Sequence, residues 1–105
     1  MTGLLIKKYH VAVLTDENEG FVSQIIESLR KWYNDRVVIK TYSDTYALFE
    51  ALSVQQARNK PFDCAVLNTN QMAEKMVLQR SNPSLKVILC QDAKTLKAEA
   101  SKVML

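Results

Sequence analysis

The chain has 105 residues, 48% of them hydrophobic and 24% charged, with a formal net charge of +3. These values describe one globular domain with enough residues for a core of its own, and they exclude a disordered or low-complexity chain. Two Gly and two Pro specify few tight turns, which argues against an all-β sandwich or barrel, and no apolar run approaches the ~18 residues of a membrane span.

Residues 1–8 read as an N-terminal extension to a single domain spanning 1–105. The apolar Leu4-Leu5-Ile6 comes before the charges Lys7 and Lys8, the reverse of a secretory signal, so the expected compartment is the cytoplasm. Tyr9 to Leu14 is apolar without strict alternation, which suits a strand covered on both faces. Phe21, Val22, Ile25, Ile26, Leu29 and Trp32 then recur at helical spacing and form one apolar stripe. Arg36 to Tyr42 is β-branched and flanked by charge, as expected of an edge strand.

Ser43 or Asp44 can cap a second helix whose inner face is Ala47, Leu48, Ala51 and Leu52. That helix should end before Asn59-Lys60-Pro61, because Pro disfavours helix in the residue ahead of it. Phe62 to Leu67 reads as a third strand. A third helix is expected over Gln71 to Gln79, with Met72, Met76 and Val77 inward, and Ser81-Asn82-Pro83-Ser84 breaks it. Leu85 to Cys90 is the fourth strand, and Ala93 to Ala100 a short final helix. Residues 101–105 can be a short fifth strand or the end of that helix. Alternating strands and helices with right-handed crossovers predict an α/β fold in three layers, with a parallel sheet of four or five strands.

Residues 1–70 carry eight basic and eight acidic side chains; residues 71–105 carry six and three. The excess therefore lies in the last third, and a solvated face explains it more simply than an acidic partner. Cys64 and Cys90 sit in apolar runs at a spacing that matches no metal motif, and the simplest reading is two buried thiols. Cys64 opens one strand and Cys90 closes its parallel neighbour, so a disulfide between them is excluded. His10, inside the first strand, reads as a packed neutral imidazole, and Trp32 and Tyr33 as core or rim.

Three segments resemble the receiver domain of bacterial response regulators. Val13-Leu14-Thr15-Asp16-Glu17-Asn18-Glu19 is similar to the acidic turn after strand one. Phe62-Asp63-Cys64-Ala65-Val66-Leu67-Asn68 is similar to the strand ending in the phospho-accepting aspartate. Asn82-Pro83-Ser84-Leu85-Lys86-Val87-Ile88-Leu89-Cys90 is similar to the turn and fourth strand that normally end in Thr or Ser. Tyr42 to Leu52 also resembles the family's second strand end and helix. The resemblance implies a flavodoxin-like strand order 2-1-3-4-(5), truncated or lacking the last helix.

The resemblance also implies a pocket that has lost its chemistry. The family holds Mg²⁺ with two acids after strand one and a carboxylate after strand three, and that last carboxylate takes the phosphoryl group. Here Asn68 stands at the nucleophile position, Thr15 replaces the first acid, and Cys90 replaces the hydroxyl residue. Asp16 and Glu17 are left, with structural capping the simpler role for Asp16. No Lys-Pro follows a fifth strand. The expected function is a non-phosphorylatable pseudo-receiver in signal transduction, working through a protein partner or self-association, with no enzymatic activity, bound metal or cofactor.

Two alternatives stay open: a small-molecule or nucleotide-binding flavodoxin-like domain, and a cysteine-dependent phosphocarrier using Cys90. Nucleic-acid binding is not expected, since no aromatics interleave with the lysines of the last third and no helix-turn-helix signature is present.

Overall fold

The computed structural model describes residues 8–15 and 19–103. Strands β1 (Tyr9–Leu14), β2 (Val37–Tyr42), β3 (Cys64–Asn68) and β4 (Lys86–Cys90) alternate with helices α1 (Glu19–Tyr33), α2 (Thr45–Ala57), α3 (Met72–Ser81) and α4 (Ala93–Val103). The sheet is wholly parallel in the order β2-β1-β3-β4. This is the α/β sandwich expected from the pattern, with a four-stranded sheet of flavodoxin-like order. Residues 101–103 continue α4, so of the two alternatives for the last segment the helix end holds there.

Burial follows from strand parity. On one face, Tyr9, Val11 and Val13 of β1, Cys64 and Val66 of β3, and Ile88 and Cys90 of β4 meet Phe21, Ile25 and Leu29 of α1 and Leu96 and Ala100 of α4. On the other, Ala12, Leu14, Ala65 and Leu67 meet Leu48 and Leu52 of α2 and Leu78 of α3. β1 and β3 are buried on both sides, which is why they read as continuous apolar runs. Each large aliphatic side chain withdrawn from water in this way contributes about 1.5–3 kcal/mol. Two helices thus cover each face. On the first of these faces α4 lies beside α1 and closes it with Leu96 and Ala100.

A second correction concerns α3. Met72, Met76 and Val77 are exposed at 51%, 59% and 47%, and Leu78 is its one buried residue. The row through Leu78 at helical spacing runs along Glu74, Lys75 and Gln71, which are half-buried. The two methionines and Val77 lie on the other side of that turn. His10 is also exposed, not packed. It occupies the α2 face of β1 near the strand's start, below the point where α2 ends.

The helix ends explain their own sequences. Asp44 is the residue that caps α2, its Oδ1 accepting from the Ala47 N–H at 2.7 Å. At the other end, Asn59 N–H donates to Gln56 O and Lys60 N–H to Gln55 O, each 2.9–3.1 Å, with Asn59 at φ 59°. This crossed pair is a Schellman motif, and Pro61 follows it. Asn tolerates the left-handed conformation and a β-branched residue does not. Asn59→Val should therefore cost about 1–2 kcal/mol in urea unfolding, while Asn59→Gly stays near neutral.

Candidate functional site

Ligands of open parallel sheets bind at the carboxyl ends of the strands, so that edge is the first place to search. β3 and β4 run in register, with Asn68 beside Cys90. β1 and β3 pair Val13 with Val66, and continuing that register sets Thr15 alongside Asn68. Asn68 and Cys90 therefore sit side by side, about 4.8 Å apart, and Thr15, the first residue past β1, lies at the same edge in a row with them. All three share the parity of the face covered by α1 and α4. The structure brings together three of the five residues singled out from the sequence. The other two, Asp16 and Glu17, lie outside the described residues.

Each member of the row is occupied locally. The Thr15 hydroxyl donates to the Tyr42 carbonyl at 3.1 Å, beside the Thr15 N–H on the same oxygen at 2.9 Å. Asn68 Oδ1 accepts from the Thr69 hydroxyl and from the Asn70 N–H, both at 3.3 Å. Its carbonyl closes a turn by accepting from the Gln71 N–H at 2.9 Å. Asn68 thus shapes the turn from β3 into α3, a role suited to a short side chain that bonds its own backbone two residues on. Cys90 is fully buried, and burial, with Asp92 nearby as the smaller cause, pushes its thiol up to about 12. The thiol is neutral at physiological pH, and a neutral thiol is a weak nucleophile.

Gln71 belongs to this edge and was not singled out from the sequence. Its Oε1 accepts from the Asn68 N–H at 2.9 Å, closing the turn from the opposite side. The Asn-x-x-Gln spacing across a strand-to-helix junction is the signal that could have found it. Asp92 was missed as well. Its Oδ1 accepts from the Thr95 N–H at 2.8 Å, the capping geometry of α4, and that bond holds its carboxyl below the usual range.

The donor set in this row is a hydroxyl, an amide and a neutral thiol. None is the anionic oxygen with which Mg²⁺ sites are built. Among the described residues no cluster of three or more His, Cys, Asp or Glu side chains is placed to hold a metal ion. No helix among them is long and apolar enough to cross a membrane. Comparison with protein-family models finds no match, and comparison with curated proteins finds none either.

Proposed function

We propose that this chain is a receiver-like module of cytoplasmic signal transduction that acts by protein–protein contact and not by phosphoryl transfer. One observation carries the reading: Asn68 holds the tip of the central strand β3, where the resemblance puts the phospho-accepting carboxylate. An amide is neutral and does not form an acyl phosphate. Its oxygen is already committed to the Thr69 hydroxyl and the Asn70 N–H. Partner binding in place of catalysis is supported by the exposed Met72 and Met76, one turn apart on α3, with exposed Val77 flanking them.

The phosphocarrier alternative is disfavoured by the state of Cys90, a buried thiol that keeps its proton. A titration of the protein with beryllofluoride and Mg²⁺, followed by amide NMR, tests the proposal. The expected result is no saturable shift at Thr15, Asn68 or Cys90. Saturable shifts confined to those amides would return the edge to phosphoryl chemistry. Sedimentation of Met76→Glu beside the parent chain tests self-association: a dimer lost on substitution makes the second copy the partner.

A further inference from the structure

The opposite edge of the sheet carries a different arrangement. Along β1 and β2 the register pairs His10 with Val38 and Ala12 with Lys40, so His10, Val38 and Lys40 share the α2 face. α2 ends above them at Ala57, and the sheet beyond its end is left open. The result is a cavity of about 590 Å³ lined by His10, Val38, Lys40, Gln55, Arg58, Lys60 and Phe62. Ligand pockets fall within roughly 300–1,000 Å³, so the volume suits a small organic molecule.

Three permanent cations converge on this cavity from three separate elements. Lys40 comes from β2, Arg58 from the cap of α2, and Lys60 from the loop into β3. Among the described residues none of the three makes an ion pair. The opposing charges are smaller. The carboxyl-terminal end of α2 carries about half a negative charge. Part of that end is already bonded, because the Asn59 and Lys60 N–H groups cap Gln56 and Gln55. Asp63 follows the lining residue Phe62, and one of its oxygens accepts from the His10 N–H at 2.7 Å. Three cationic side chains and, among the described residues, no acidic one in the lining leave the cavity electropositive.

Simple helix electrostatics does not account for the cluster. Basic residues near helix ends complement the dipole, which explains Arg58. A charged residue on an edge strand also discourages strand pairing, which explains Lys40 taken alone. Neither explanation calls for Lys60 on the same cavity, and the Schellman turn holds that residue in place. The remaining lining is not ionic. Phe62, 8% exposed and fixed edge-to-face against Tyr42 at 6.3 Å, and Val38 supply apolar surface, while Gln55 and His10 supply hydrogen-bonding groups.

We infer that this cavity is a binding site for a small phosphate-bearing ligand with a planar or apolar body. Arg58, Lys40 and Lys60 take the phosphate oxygens, the guanidinium in its bidentate fork, and Phe62 and Val38 take the body. The site lies at the amino ends of the strands, opposite the Thr15–Asn68–Cys90 row. It is independent of the proposed signalling role.

Phenyl phosphate and inorganic phosphate are suitable probes, titrated into the ¹⁵N-labelled chain at fixed ionic strength. The expected result is saturable shifts at the amides of residues 38–40 and 58–62, with phenyl phosphate binding more tightly. Lys40→Gln with Lys60→Gln should weaken phenyl phosphate at least tenfold, and Lys94→Gln with Lys97→Gln less than twofold. All four lysines are solvent-facing or on the surface rim, and amide dispersion checks that each variant is folded. If the Lys40/Lys60 pair fails that check, Arg58→Gln takes its place with the same expected loss. Unsaturable shifts spread over the basic residues generally, or equal losses in the two pairs, would overturn the site.

Discussion

Leu78→Ala should destabilise the protein by about 3 kcal/mol, and Met76→Ala by no more than about 0.5 kcal/mol. Both residues are apolar, two positions apart on α3, so the difference isolates which side of the helix faces the sheet. Leu78 is fully buried against the face that also holds Leu48, Leu52 and Leu67. Truncating it removes transfer free energy and leaves a cavity, and α3 has no second buried side chain to compensate. Domains of this size have a total stability on the order of 5–15 kcal/mol, so the loss is a large fraction of it. Met76 is 59% exposed and gives up little when shortened. Urea unfolding followed by far-UV circular dichroism gives both numbers. Equal losses, or a larger one for Met76, would mean that α3 is turned the other way.

That comparison also shows where sequence reasoning reaches and where it stops. β1 and β3 were legible because both faces of a central parallel strand are buried, leaving an uninterrupted apolar run such as Val11-Ala12-Val13-Leu14. α1 was legible because its apolar stripe is long. For α3 the sequence pattern gives nearly the right span and the wrong inner face. It has four large apolar residues in ten, and three of them, Met72, Met76 and Val77, share the side away from Leu78. Counting apolar residues then favours the outer face, and only the position of the helix over the sheet decides otherwise. His10 failed for a related reason, since apolar neighbours in sequence say nothing about where α2 ends.

The candidate site was legible as positions and not as bonds. That Thr15, Asn68 and Cys90 meet at one edge follows from parallel register, which the order of strands implies. That Asn68 spends its side-chain oxygen on the turn at Thr69 and Asn70, and that Gln71 closes the turn from the other side, depends on loop geometry. The basic cavity was invisible for a stronger reason. Lys40, Arg58 and Lys60 belong to the evenly charged first 70 residues, and the excess charge lies elsewhere in the chain. Convergence in space, with no excess of charge along the chain, makes that cavity positive.

The second large effect is expected in alkali. Cys64 and Cys90 are both fully buried free thiols, and desolvation holds each up to about 12 from an ordinary value near 9, with Asp63 and Asp92 adding smaller pushes in the same direction. The unfolded chain ionises its thiols near pH 9, while the folded one keeps both protons until about 12. Between those limits the unfolded state binds fewer protons, so stability falls as pH rises. It is fully present below pH 9 and is lost through the window up to 12. Each thiol contributes a slope approaching ~1.4 kcal/mol per pH unit, so the pair should remove roughly 2 kcal/mol or more between pH 9 and 10.5. Tyr33 and Tyr42, also raised by burial, act in the same direction at the upper end.

Urea midpoints measured from pH 7 to 10.5 should therefore drop steeply above 9 in the parent chain and much less in a Cys64→Ala, Cys90→Ala variant. Below pH 9 the folded thiols should react with iodoacetamide only as fast as the protein opens. Nor can they protect each other by pairing. Cys64 lies opposite Lys86 in the register, and Cys90 is four residues farther along β4, about 13 Å of strand rise, beyond the ~7 Å Cα separation a disulfide allows. Rapid modification at pH 7.5, or a flat stability profile to pH 10.5, would show that water reaches the thiols and that the core beneath α1 and α4 is looser than its packing indicates.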